Sequence, residues 1–468
     1  MARRHLRYYR DKVADGANRW FSPAERDIVN WARAAWDNIF TAVETGLTAS
    51  GEATAGLEIC LGLIELRIPF VRGSMRNIHD VTERCLAATR SLDPRPTGLE
   101  IEALSAITWL AVRQGRSADA KLMLEEAVTA HNPDLVGTDW RSDPASDIGL
   151  PAGLDLAWGT LLFMGEQDPR AVCVLIRARD KFERRGDSGG EMMAGMFAGF
   201  AAALLGTSEQ AHEIAGRCLA LARASGAAWA TSWAELSWAI TLTKHGDPTE
   251  AARVLRHALD YQISVRDQWG ATWAIELLIW AMAASISADK LERVTAAATA
   301  TEMAYLAGGV SELRSRLGIR IADMGSFGKE SRKAIETAQR VLGPAAYREA
   351  ENAGRRLRAE DYSVHRLALG TLTVDTLRAD VAQSSWYGLT QLQRQAAIMA
   401  AAGATNAEIA RRRSRATRTI DNQMSTIYEK LGISTRQELE QRIPLSEMPN
   451  IEAERRQLFN ARSQDSQN

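Results

Sequence analysis

The chain is short of several things at once, and each shortage closes a class of explanation. Its four cysteines, Cys60, Cys85, Cys173 and Cys218, form no C-x-x-C pair, and each sits in an apolar helical context. That excludes a disulfide scaffold and leaves small buried hydrophobes in a reducing cytoplasm. The seven histidines are scattered without metal-ligand spacing, so no metal is expected. The most membrane-like run, Met192 to Leu205, is interrupted by Gly195 and Gly199 and is too short for the ~20 residues a span needs. The basic N-terminus MARRHLRYYRDK lacks an apolar core, which excludes a signal peptide. We therefore expect no membrane association and a cytoplasmic location. Charge of one sign is missing too: 57 Lys/Arg stand against 58 Asp/Glu, so the whole-chain charge names no partner. No G-x-S-x-G or H-E-x-x-H appears, and paired carboxylates such as Glu125-Glu126 lie in ordinary helical stretches, so neither an enzyme nor a cofactor is expected. Strand-like alternation is scarce, and glycine and proline sit mostly at helix ends. The expected class is all-α.

What is present is helix, in long succession. Residues 1–95 read as an N-terminal helical region. Within it Ser22, Pro23 and Glu25 spell a capped helix start, with Ser22 as cap and Glu25 three residues on. Trp31, Trp36, Ile39 and Val43 then stripe one face. Over 96–357 a repeat appears: a helix ending in Gly, a turn, and a helix with one small residue near its start and another seven later. Gly115 precedes Ala120 and Ala127; Gly165, Ala171 and Ala178; Gly206, Ala211 and Cys218; Gly246, Ala251 and Ala258. A fifth unit, Trp269 to about Ala307, is degenerate, with Ile286 where glycine is expected. Small residues let paired helices cross closely, and repeats of this period stack into a TPR-like α-solenoid with a concave face. Trp229 and Trp233, and again Trp269 and Trp273, are i, i+4 pairs. Such rings more often fill gaps between helices; the other use is to stack on a sugar or peptide ligand. Residues 358–387 lose clear periodicity and are taken as a linker, and 446–468, rich in Ser, Gln, Asn and charge, as a disordered tail.

The remaining segment, 388–445, is the most informative. Thr390 is a natural N-cap for a helix carrying Leu392, Ala396, Met399 and Ala400, stopped by Gly403. Thr405 or Asn406 caps a short second helix with Ile409 and Ala410 inward. A turn around Ser414–Ala416 leads to a third helix, about Thr417 to Leu431, closed by Gly432. Its Ile420, Met424, Ile427 and Leu431 form one apolar face; Arg418, Asp421, Asn422, Ser425 and Glu429 lie opposite. A fourth helix runs from about Thr435 to Ile443. Two short helices across a tight turn, the second apolar behind and hydrogen-bonding in front, is the geometry that lays a helix in a major groove. Residues 389–443 hold nine Arg/Lys and five Asp/Glu, a local positive excess that suits a polyanion.

The string LT…G.TN.EIA…TRTIDN…IYEKLGIS resembles the LuxR-type helix-turn-helix of bacterial transcription regulators, with matched positions on all four helices. The resemblance implies that the third helix reads bases and the fourth helps two copies dimerise. By position it assigns Asp421, Asn422 and Ser425 to base edges, and Thr405, Asn406, Arg418, Thr419 and Lys430 to phosphates. The chain departs from the pattern at Leu392-Gln393, where an Arg-Glu pair is usual, at Arg413 for a core leucine, at Ala416 for the capping serine, and at Gln423 for a histidine. More diffusely, the stretch from Asp267 and residues 24–90 resemble the helical regions of large actinobacterial LuxR-type regulators. Those carry an N-terminal ATPase, whereas no G-x-x-x-x-G-K-[ST] occurs here. The nearest string, GSFGKES from Gly325 to Ser331, has Asp323 at the first-glycine position and Glu330 where Ser/Thr belongs.

The expected function is a sequence-specific, double-stranded-DNA-binding transcription regulator, acting as a homodimer through its C-terminal domain. A protein or small-molecule effector at the solenoid would control it. The alternative is a helical-repeat adaptor whose DNA-binding head has decayed.

Overall fold

The computed structural model describes every residue except 73–74, 289–290, 358–360, 445–446 and 466–468, so the starts of the expected linker and tail lie outside the described residues. Two compact units divide the chain, Met1–Thr371 and Leu372–Asn468. Among the described residues all regular elements are helical.

The first unit opens with α1 (Ala2–Arg19), α2 (Glu25–Ala34), α3 (Trp36–Thr48), α4 (Ala53–Glu65), α5 (Ile68–Arg72) and α6 (Met75–Thr89). The helix expected to run through Trp31 and Trp36 is broken at Ala35 into α2 and α3. The expected capping box does not form either. Ser22 bonds to Arg19 O and Ala24 N, while the Glu25 carboxylate reaches across the fold to the backbone N–H groups of Trp229 and Ala230. Helix α13 begins there with Ala227 at its N-cap and no side-chain cap of its own. A long-range carboxylate thus supplies what the local sequence lacks.

Five helix pairs follow: α7 (Thr97–Arg113) with α8 (Ser117–His131), α9 (Ala152–Leu161) with α10 (Ala171–Arg184), α11 (Ser188–Leu205) with α12 (Ser208–Ser225), α13 (Ala228–His245) with α14 (Pro248–Ser264), and α15 (Gln268–Ser287) with α16 (Arg293–Leu317). The small residues of the repeat, Ala120, Ala127, Ala171, Ala178, Ala211, Ala251 and Ala258, are fully buried, and Cys218 nearly so. The two helices of a pair differ in kind. On α15 every residue from Trp269 to Met282 is buried, whereas α14 buries a stripe through Ala251, Val254, Leu255, Ala258 and Leu259. A helix apolar on all sides belongs inside and a striped one outside, so first helices line the interior and the striped second helices α8, α10, α12 and α14 coat it, while α16 is buried at every position from Met303 to Val310. Helices α11 and α15 are long and apolar enough to cross a membrane, yet both are mostly buried within the fold.

The unit closes with α17 (Gly325–Leu342), α18 (Pro344–Arg355) and α19 (Ser363–Ala368). The GSFGKES string forms the first turns of α17. Its Ser331 hydroxyl donates to the buried Glu276 carboxylate at 2.5 Å, and no strand precedes it. Helices α16 and α18 cross so closely that a Cβ on Gly308 would lie 2.0 Å from Glu351 O, and one on Gly354 2.0 Å from Tyr305 O. No other residue fits either position.

The second unit contains α20 (Val374–Tyr387), α21 (Gln391–Ala401), α22 (Asn406–Arg412), α23 (Thr417–Leu431), α24 (Leu439–Arg442) and α25 (Met448–Asp465). Two expectations fail here. The supposed linker is largely helix, α19 and α20, and Trp386 at the end of α20 is completely buried in the second unit's core. The supposed disordered tail is helix α25, whose Ile451 and Leu458 enter the same core. Ile451 and Leu458, seven apart, anchor α25 with the half-buried Met448 at its start, too sparse a stripe to stand out in a charged sequence.

Candidate nucleic-acid interface

The second unit has a small core of alanine and aliphatic side chains: Ala396, Ala397 and Ala400 from α21, Ile409 and Ala410 from α22, and Ile420, Met424, Ile427 and Leu431 from α23. Helix ends are fixed locally. Thr390 with Gln393 caps α21, and Thr405 with Glu408 caps α22, each as a reciprocal capping box. Ser414 takes a left-handed conformation, φ +51, in the turn between α22 and α23. Gly432, φ +64, ends α23. Leu392, expected inward, is 58 % exposed.

On α23 the apolar row faces the core, and Arg418, Asp421, Asn422, Ser425 and Glu429 are all exposed. Arg418, Asn422, Ser425 and Glu429 follow one another at i, i+4, i+7 and i+11, a single polar strip opposite Ile420 and Met424. Several candidate side chains are already engaged. Asn406 donates to Asp421 at 2.8 Å and accepts from Arg436 at 3.1 Å, tying α22 to α23. Ser425 donates to the Asp421 carbonyl. Thr405 is the α22 cap and also donates to Glu408. Lys430 donates to Gln393 on α21. Thr419 is exposed in the first turn of α23. Arg418 is exposed and its guanidinium makes no hydrogen bond or ion pair to the described residues, and the same holds for the side chains of Arg411 and Arg415. The sequence sign of these last two arginines is the basic run ARRRSRATR, which does not by itself separate Arg411 and Arg415 from the paired Arg412 and Arg413. Helix α23 has Ala416 at its N-cap and no side-chain cap, so open backbone N–H groups sit among these cations.

Residues 388–442 match the family described as bacterial regulatory proteins, luxR family. This segment is a LuxR-type helix-turn-helix domain. It gives the chain the DNA-binding domain of a transcription regulator, a domain that is not itself enzymatic. No curated protein matches the chain.

The departures from the LuxR-type pattern have physical accommodation. Arg413, in a core-leucine position, is half-buried and donates to Leu392 O at 3.0 Å and Gln423 Oε1 at 3.3 Å. Gln423, itself a departure, supplies one of these acceptors. Gln393 completes the α21 capping box in place of glutamate. Helix α25 lies beyond the matched segment and is bound to the domain by charge as well as by its apolar anchors. Arg412 pairs with Glu454 at 2.7 Å and Arg455 with Glu440 at 2.9 Å. Arg462 grips Glu408 through two contacts of 2.9 Å. That guanidinium, together with the Thr405 N–H and hydroxyl, holds the Glu408 carboxyl down at about 2.

In the first unit the four candidate tryptophans are all buried. Trp229 and Trp233 turn their indole N–H groups onto one carboxylate, Asp267, at 2.7 and 3.0 Å, and Gly270 N joins at 2.8 Å. Trp233 and Trp273 line a small cavity of about 20 Å³ with Phe327 and Arg113, room for about one water. Arg113 is almost fully buried, and its guanidinium lies 4.3 to 5.7 Å from the ring centres of Phe70, Trp109, Phe197, Trp233 and Trp269. Burial brings its pKa down to about 9, against the pull of Asp267. The rings therefore pack the repeat interior around a buried cation. One group of metal-ligand type occurs among the described residues, on α6: His79 Nδ1 stands 3.7 Å from Asp80 and 3.6 Å from Glu83. Its only sequence sign is the i, i+4 spacing of His79 and Glu83, which many exposed helix faces share.

Proposed function

We propose that this protein is a cytoplasmic, sequence-specific DNA-binding regulator whose helical-repeat region receives an effector or partner and thereby governs a LuxR-type head. The observation that carries the reading is the exposed strip of α23 over a complete apolar back. Asn422 and Ser425 offer hydrogen bonds to base edges, and Asp421 offers an acceptor of the kind that pairs with cytosine N4. Arg411, Arg415 and Arg418 around the uncapped start of α23 suit phosphate oxygens, because a helix N-terminus and arginines both favour anions. Thr405, Thr419 and Lys430 remain phosphate candidates. Asn406 acts instead through Asp421 and Arg436, orienting the reading helix. Two heads, associated through the α24 side, would address half-sites about one helical turn apart.

Genome-wide occupancy followed by gel-shift at graded salt tests the reading. Asn422→Ala should change base preference, and Lys430→Ala should weaken all sequences alike. Equal effects of both on every sequence would contradict it. The rival reading, an adaptor with a decayed head, rests on Arg413 at a leucine position, on Ala416 where a capping serine is usual, and on the lack of an ATPase motif. The hydrogen-bonded Arg413 and the filled core speak against it.

A further inference from the structure

The first unit has a second, larger cleft, about 470 Å³, between α2 and the turn from α14 into α15. That volume falls in the ~300–1,000 Å³ range of small-molecule sites. Its floor holds the Glu25 carboxyl, 3 % exposed, with the α13 N–H groups and the Tyr261 hydroxyl directed at it. Among the described residues Glu25 is the sole carboxylate of the lining, and it is already taken up by the helix start. Around it stand three arginines, Arg26, Arg33 and Arg266. Arg33 is fixed in place, donating to Val265 O at 2.5 Å and Arg266 O at 3.3 Å across the end of α14. Arg26 and Arg266 are exposed, and their guanidinium groups make no hydrogen bond or ion pair to the described residues. Arg266 is held in a left-handed backbone conformation, φ +57. Asn30, Ser264 and one edge of Trp229 complete the walls.

We infer that this cleft binds a small organic anion, a phosphorylated or carboxylated polyol, with Arg26 and Arg266 on the anionic group and Asn30 and Ser264 on hydroxyls. The lining is cationic beyond what Glu25 offsets, and guanidinium forks match phosphate and carboxylate oxygens alike. A ligand here bridges α2 to the corner of the fourth and fifth helix pairs, segments otherwise joined by Glu25 and Arg33. The inference rests on, and deepens, the reading of the repeat region as a receiver.

The test uses the full-length protein with three probes: glucose 6-phosphate, gluconate and uncharged glucose. Calorimetric titration and thermal unfolding should give saturable binding and a raised Tm with at least one anion and not with glucose. Which anion binds identifies the acidic group. The double variant Arg26→Ala/Arg266→Ala should weaken that binding by about tenfold or more and leave the ligand-free Tm unchanged. No saturable binding of either anion, glucose binding as well as they do, or an unaffected double variant would overturn the inference. Gel-shift of the same variant without ligand separates this from the regulator reading: intact DNA binding with no anion binding removes the cleft and leaves the head.

Discussion

The two units solve the problem of charge in opposite ways. The repeat unit takes charges inside and surrounds them. Asp267 receives two indole N–H groups and a backbone N–H, Arg113 lies among the rings of Phe70, Trp109, Phe197, Trp233 and Trp269, and Glu276 accepts from Ser331, Trp280 and Arg314. Among the described residues the head fully buries no charged side chain, half-burying some, Arg413 and Arg436 among them, and uses ions at the surface as straps, Arg412 to Glu454 and Arg462 to Glu408. A buried ion costs several kcal/mol to desolvate and must be fully satisfied, so the repeat unit is specified by a few irreplaceable contacts. Surface pairs contribute little each. The head can therefore spend its remaining arginines on a ligand.

The largest effect expected from this contrast is at Asp267. Asp267→Ala leaves two buried indole N–H groups and the N-terminus of α15 unsatisfied, and should cost the repeat unit about 3 kcal/mol or more, read as a lowered first transition in thermal unfolding. A change under about 1 kcal/mol would erase the distinction between the units. Next is Leu458→Ala in α25. Leu458 is 5 % exposed in the head core, so its removal should cost the head about 2 kcal/mol, whereas the exposed Phe459 beside it should tolerate alanine with a much smaller loss.

A gentler probe is pH. Burial raises the Glu25 carboxyl to about 7, above its value in an unfolded chain. The folded repeat unit then binds a proton that the unfolded chain has released. Stability contributed by this group is highest below about 4.5 and declines as pH rises toward about 7. Glu25→Gln should flatten that part of the stability-versus-pH curve, and an unchanged curve would show that Glu25 is not the titrating group. The smallest expected effect is at Ala416. Ala416→Ser restores a side-chain cap to α23 and should stabilise the head by about 1 kcal/mol.

The same contrast explains what the sequence disclosed. The head was readable almost helix by helix because its ends are set locally, by Thr390, Thr405, Gly403 and Gly432, and its faces by a clean 3.6-residue period. The repeat pairs were readable through their small residues, from Ala120 to Ala258. What stayed hidden depends on partners far along the chain. Glu25 looked like the third residue of a capping box, yet its carboxylate caps a helix about two hundred residues away. Arg113 carried no local sign that five rings would enclose it. Helix α25 looked like a frayed tail because its anchors, Ile451 and Leu458, matter only against a core already formed. Arg413 read as a damaged leucine until Leu392 O and Gln423 came into reach.

The central claim is that the outward strip of α23 and the cations at its start meet DNA. The most direct test is the salt dependence of specific DNA binding for the wild-type protein and Arg418→Ala. The account predicts tight, salt-sensitive binding whose log–log slope falls by about one in the variant. Binding that is absent, or a slope identical in both proteins, would contradict it.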